Sequence, residues 1–148
     1  MSKLRRLVSI LVASFLPFVP LEARADAYTD CQAAYAAKQY AQTIKVCSRA
    51  VNEIAYGVSS EQQKVTADQW THATWTAFVS MLQAETYQGF AAVKMGGKLK
   101  GRGAATLFGI TQLLEQVEEV SPFDDISQRI AKLQQDIQDF ANVNLSDN

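Results

Sequence analysis

Histidine, cysteine, proline and long apolar runs are all scarce in this chain, and each scarcity closes off a class of function. His72 is the only histidine among 148 residues. A catalytic or metal role needs partners, and the sequence supplies no second His and no acid three or four residues after it. Only two cysteines occur, Cys31 and Cys47, with fifteen residues between them. That spacing excludes the Cys-x-x-Cys arrangement in which one helix start activates the first sulfur. No apolar stretch reaches the roughly 20 residues that a membrane-spanning helix requires. A net charge of −1 argues against general nucleic-acid binding, which needs a basic field.

What the first residues do contain is the three-part form of a secretory signal. Lys3, Arg5 and Arg6 make a positive start, Leu7 to Leu16 an apolar core, and Pro17 and Pro20 a stop. Ala23-Arg24-Ala25 offers small residues at −3 and −1, so cleavage is expected before Asp26. Leu4 stands before Arg5-Arg6 where twin-arginine export prefers Ser or Thr. Tyr28-Thr29-Asp30 before Cys31 does not suit a lipid anchor. The expectation is therefore Sec-type export of residues 26–148, secreted or periplasmic. Ten basic and fourteen acidic side chains then remain, a net of about −4 on about 123 residues, enough for one core. Residues 26–141 are read as a single helical domain and 142–148 as a flexible tail.

Export takes both cysteines into an oxidising compartment, where an even pair reads as one disulfide. Cys31, Ala34 and Tyr35 share a helix face, and Ile44, Cys47, Val51 and Ile54 repeat at 3, 4 and 3. A break near Lys38 and Gln39 makes the two segments an antiparallel hairpin. Cys31 lies eight residues before Gln39 and Cys47 eight after it, so the two should meet across the hairpin. Gly57 is expected to end the second helix, with Ser59 or Ser60 capping the next.

The run AYAAKQYAQTIKVCSRAV resembles the hairpin of a tetratricopeptide repeat. Tyr40 stands at the aromatic that opens the second helix, Thr43 where a small residue is preferred, Ile44 and Cys47 on the buried face, and Ala50 at the small residue near the end. About 25 of the 34 residues of a repeat are covered. The resemblance implies a short helical solenoid that binds other proteins.

Residues 61 to about 95 hold no proline and read as the longest helix. Trp70, Ala73, Ala77, Met81 and Ala84 lie on one side, with Trp75, Phe78, Val79 and Leu82 adjoining, an apolar arc wide enough for a central position. The remaining stripe is His72, Thr76, Ser80 and Gln83. It reads either as an ordinary solvated face or as the lining of a groove.

MGGKLKGRG, residues 95–103, carries four of the seven glycines and, with Lys94, the cations Lys98, Lys100 and Arg102. A phosphate loop is excluded, since Arg102-Gly103 stands where Lys and Ser or Thr are needed. A charged flexible connector and a docking loop for an anionic lipid or polymer both fit a glycine-rich loop over 94–103.

Leu107, Ile110, Leu114, Val117 and Val120 mark a fourth helix. Ser121-Pro122-Phe123-Asp124 reads as a helix start with Ser121 as cap. Ile126, Ile130, Leu133, Ile137 and Phe140 mark the last helix at spacings of 4, 3, 4 and 3. Two heptads fall short of a coiled coil, so packing within a monomer is expected. The acids Glu115, Glu118, Glu119, Asp124 and Asp125 lack calcium-loop spacing and suit a helix junction.

The sequence thus specifies an all-α domain of about five helices, with the disulfide-pinned N-terminal hairpin packed on a long central helix in a bundle or short solenoid. No catalytic, metal or cofactor constellation is present in the pattern. The functional expectation is an exported protein-interaction module, adaptor-like and without enzymatic activity. Its alternative is an envelope-associated protein that docks on an anionic surface through Lys94, Lys98, Lys100 and Arg102.

Overall fold

The computed structural model describes residues 21–146, with side chains from Ala27 onward. Most of the expected signal segment, residues 1–20, and the last two residues of the tail lie outside that range. Five α-helices follow one another: α1 (Leu21–Ala36), α2 (Tyr40–Gln62), α3 (His72–Met95), α4 (Gly97–Val117) and α5 (Asp124–Asn144). No strand occurs among the described residues.

The α1–α2 turn falls where the sequence placed it, and its hydrogen bonds explain its sharpness. Gln39 N–H donates to Ala34 C=O (3.0 Å) and Lys38 N–H to Tyr35 C=O (2.9 Å), the paired bonds that close a helix through a left-handed residue. Lys38 is that residue, at φ 57°. Cys31 and Cys47 meet across the hairpin as a disulfide, with Cα atoms 4.7 Å apart, inside the range a bridge requires. Around it Ala27, Ala50 and Ala84 are buried. These small side chains let α1, α2 and α3 approach closely.

Gly57 does not end α2, which continues to Gln62. Its buried stripe, Thr43, Cys47, Ala50, Ile54 and Val58, runs past the glycine. A glycine in a helix interior costs about 1 kcal/mol, whereas burying a valine contributes about 1.5–3 kcal/mol. Packing therefore outweighs propensity. The long helix expected over 61–95 begins eleven residues later, at His72. A connector with a 3-10 turn, Ala67–Gln69, precedes it, and Thr71 caps α3 by accepting from Thr74 N–H at 3.1 Å. Trp70 consequently belongs to the connector, where it packs on Trp75 and Phe78 with ring centroids 5.0 and 5.3 Å away.

Glycine-rich residues 94–103 are not a loop. Only Gly96 (φ 76°) and Gly97 (φ 59°) leave right-handed space, and α4 starts at Gly97, so Lys98, Lys100, Arg102 and Gly103 lie on helix. Gly103 serves the crossing of α3 and α4: a Cβ there would stand 2.6 Å from Gly89 O and 2.9 Å from Val93 N. Helix α5 likewise starts later than expected. Ser121 Oγ accepts from Phe123 N–H (3.2 Å), bracing the turn around Pro122, and the helix begins at Asp124 with Asp124 and Asp125 in its first turn. Its far end passes residue 142, reaching Asn144, and Leu145 packs against the core.

Trp75, Leu82, Leu114, Ile126, Ile130 and Leu133 form the fully buried centre. Helix α3 occupies the middle of the molecule, contacting all four other helices. His72, Ser80 and Phe90 on α3 meet Asp125, Arg129 and Phe140 on α5 in the same order, so the two helices are parallel. Helix α1 shares their direction, since α1–α2, α2–α3 and α3–α4 are successive antiparallel neighbours.

Candidate functional site

The stripe His72, Thr76, Ser80 and Gln83 lies on the side of α3 between its contacts with α1 and α5. Ala84, packed on the disulfide cluster, marks one border; Phe90, stacked on Phe140 at 4.0 Å, marks the other. His72 is exposed, and Thr76, Ser80 and Gln83 are half-buried. At 3.6 residues per turn the same line continues through Tyr87 to Lys94. This line, with α3 beneath it and α1 and α5 on either side, is the candidate furrow.

Each end of the furrow has its own chemistry. At the start of α3, His72 Nε2 lies 2.6 Å from Asp125 Oδ2, and the imidazole meets Phe123 edge-on at 5.0 Å. Hydrogen bonding from His72 holds the Asp125 carboxyl below its usual value. One turn further, Arg129 Nη2 donates to Ser80 Oγ at 3.3 Å. The Tyr28 hydroxyl sits beside that guanidinium; burial raises its pKa, and Arg129 opposes the rise. Farther along, Tyr35 packs on Tyr87 and Phe90 at 5.0 and 5.7 Å, and Lys94 Nζ lies 6.0 Å from the Phe140 ring centroid. The furrow is thus polar at one end and aromatic at the other.

Lys94, Lys98, Lys100 and Arg102 are exposed. The last three occupy the first turns of α4, where no acid accompanies them, at the positive end of the helix dipole. Glu115, Glu118 and Glu119 do not join Asp124 and Asp125 in one ligand set; Glu118 accepts from Gln134 (3.1 Å). No group of three or more His, Cys, Asp or Glu that would hold a metal occurs among the described residues. None of their helices is long and apolar enough to cross a membrane.

Asp125 was read in the sequence only as one of the acids at a helix junction, and neither Arg129 nor Tyr28 was read there as a site residue. Asp125 is 53 residues from His72, beyond any helical spacing. Arg129 carries a fainter signal: it lies three residues after Ile126 and one before Ile130, at the edge of the buried stripe, where a cation needs a partner. No family model, curated protein or solved structure matches the chain.

Proposed function

We propose that this chain is an exported protein-interaction module that receives an extended segment of a partner polypeptide along the α1–α3–α5 furrow. The observation that supports it most is the shared direction of these three helices around the line from His72 to Lys94. Helices α2 and α4 run back behind them, an order similar to stacked tetratricopeptide hairpins, in which each unit buries one face on the next. Polar groups offer hydrogen bonds to a peptide backbone, and the half-buried Tyr35 and Tyr87 rings offer apolar contact.

A photo-crosslinking residue at Gln83, compared with one at exposed Gln112 on α4, tests this reading. A saturable crosslinked partner in an exported fraction at position 83 but not at 112 is expected. Equal capture at the two positions refutes the furrow. Intact mass of the exported protein checks the export reading, with a chain beginning at Asp26 expected.

The second reading keeps the anionic surface, moved from a loop to a helix. It is favoured by the uncompensated cations Lys98, Lys100 and Arg102 at the positive end of α4. Co-sedimentation with anionic vesicles at low salt, reversed at high salt, is its expected result; no binding at low salt eliminates it.

A further inference from the structure

Within the furrow, Arg129 stands out by its partners. It is half-buried, yet among the described residues no carboxylate lies within ion-pair distance of it. Asp125, the acid one turn before it on its own helix, and Asp136, the first acid after it, are engaged elsewhere. Asp125 bonds His72 at 2.6 Å, and Asp136 pairs with Lys132 at 3.2 Å. Of the guanidinium's five N–H donors, one is directed to the neutral Ser80 hydroxyl. A partly desolvated cation held by neutral groups is an unusual expense in a small domain, because desolvation is offset well only by an opposite charge.

The hydroxyls around it are also unspent as donors. Thr76 and Thr86, on the same helix as Ser80, return their O–H to the carbonyl four residues back, at 2.9 and 2.7 Å. Ser80 makes no such bond and only accepts from Arg129. The Tyr28 oxygen accepts from Gln32 Nε2 at 3.3 Å, leaving its own hydrogen available beside the guanidinium. Three helices therefore bring donors to one place: α1 through Tyr28, α3 through Ser80 and α5 through Arg129. Among the described residues, nothing with a negative charge receives them.

We propose that Arg129, Ser80 and Tyr28 form a receptor for a carboxylate group carried by the partner polypeptide. A planar carboxylate accepts two parallel N–H bonds from a guanidinium and has lone pairs left for both hydroxyls. One cation matches one negative charge; Lys132, the next cation along α5, is already paired, so a doubly charged phosphate is left uncompensated. The carboxylate comes from a chain terminus or from an Asp or Glu side chain. The proposal deepens the furrow reading and rests on it.

The test titrates the full-length exported chain, labelled with 15N at arginine, with three small probes: N-acetyl-dialanine, its C-terminal amide, and N-acetyl-glutamate α-amide. A saturable shift of the Arg129 Nε–H resonance with a carboxylate probe but not with the neutral amide is expected, and the stronger of the two carboxylates identifies the source. Arg129→Gln should weaken binding about tenfold or more, the loss of a charge-assisted hydrogen bond. Ser80→Ala and Tyr28→Phe, each removing one hydroxyl, should weaken it several-fold and keep the test decisive if Arg129→Gln does not fold. Equal shifts with amide and acid, or none at all, overturn the proposal. Partner crosslinking at Gln83 that survives Arg129→Gln also overturns it while leaving the interaction module intact; loss of crosslinking at Gln83 in the unsubstituted chain refutes the module itself.

Discussion

Three glycines on two helices permit the same substitution, Gly→Ala, in three different surroundings. At Gly103 a new Cβ would stand 2.6 Å from Gly89 O and 2.9 Å from Val93 N. Both are backbone atoms of α3, so relief requires the helices to separate. Separation loosens the contacts of Leu107, Phe90 and Val93, all within the main core. Overpacking of this kind costs about 1–3 kcal/mol, while the gain in helix propensity is at most about 1 kcal/mol, so Gly103→Ala should destabilise by about 1–2 kcal/mol. At Gly89 the nearest atoms belong to the Leu107 side chain, at 2.9 Å. A side-chain adjustment of about 0.5–1.5 kcal/mol roughly cancels the propensity gain. At Gly109 nothing lies within 4 Å, and the full gain of up to about 1 kcal/mol is expected. Urea unfolding followed by helical circular dichroism reads all three as shifts in midpoint at constant slope. If Gly103→Ala is as stable as Gly109→Ala, the close crossing of α3 and α4 is not there.

Four further outcomes are expected. Replacing Cys31 and Cys47 together with Ala opens a loop with a sequence separation of 16 and should cost about 3 kcal/mol in the chain-entropy model, read as a lower urea midpoint. Lys38→Gly should stabilise by up to about 1 kcal/mol, because φ 57° is strained for a residue with a Cβ; an unchanged midpoint refutes strain at that turn. The Asp125 carboxyl, lowered by His72, contributes stability that is complete above its ordinary value of 3.8 and is lost as pH falls through the lower folded value; Asp125→Asn should narrow the stability difference between pH 6 and pH 2. Glu85 behaves in the opposite sense, since burial alone raises its pKa: charging it costs stability as pH rises past 4.5, so Glu85→Gln should raise the thermal midpoint at pH 7 and leave it unchanged at pH 3.

Element type was readable wherever burial and spacing agreed. The α5 stripe Ile126, Ile130, Leu133 and Ile137 is buried as its 4, 3, 4 spacing required, and the equal distances of Cys31 and Cys47 from Gln39 placed both turn and bridge. Boundaries failed where a local signal was overruled. Gly57 has the propensity of a stop, but Val58 beyond it is buried. The stop before α3 is made by Thr66, Thr71 and a 3-10 turn, with no proline or glycine to announce it. In MGGKLKGRG the glycines suggested flexibility. Two of them do make a tight break, while Gly103 allows close approach and belongs to the tightest contact between α3 and α4. Composition alone cannot separate these uses, because each depends on what stands opposite the missing Cβ.

The furrow was legible only along its floor. His72, Thr76, Ser80 and Gln83 are on one helix, so a periodicity of 3.6 groups them. Their partners arrive from α1 and α5, and no spacing rule connects Tyr28 or Arg129 with Ser80. Charge accounting is the signal that survives this distance. Along α5 the carboxylate of Asp136 is matched by Lys132 four residues away, an arrangement visible in sequence. Arg129 has Asp125 at the same separation, but His72 takes that carboxylate. Only the tertiary pairing of a histidine removes the acid that the helix would otherwise have supplied, and the cation is then left facing two hydroxyls in the furrow. The lone histidine therefore matters less as chemistry of its own than as the group that takes the Asp125 carboxylate from Arg129.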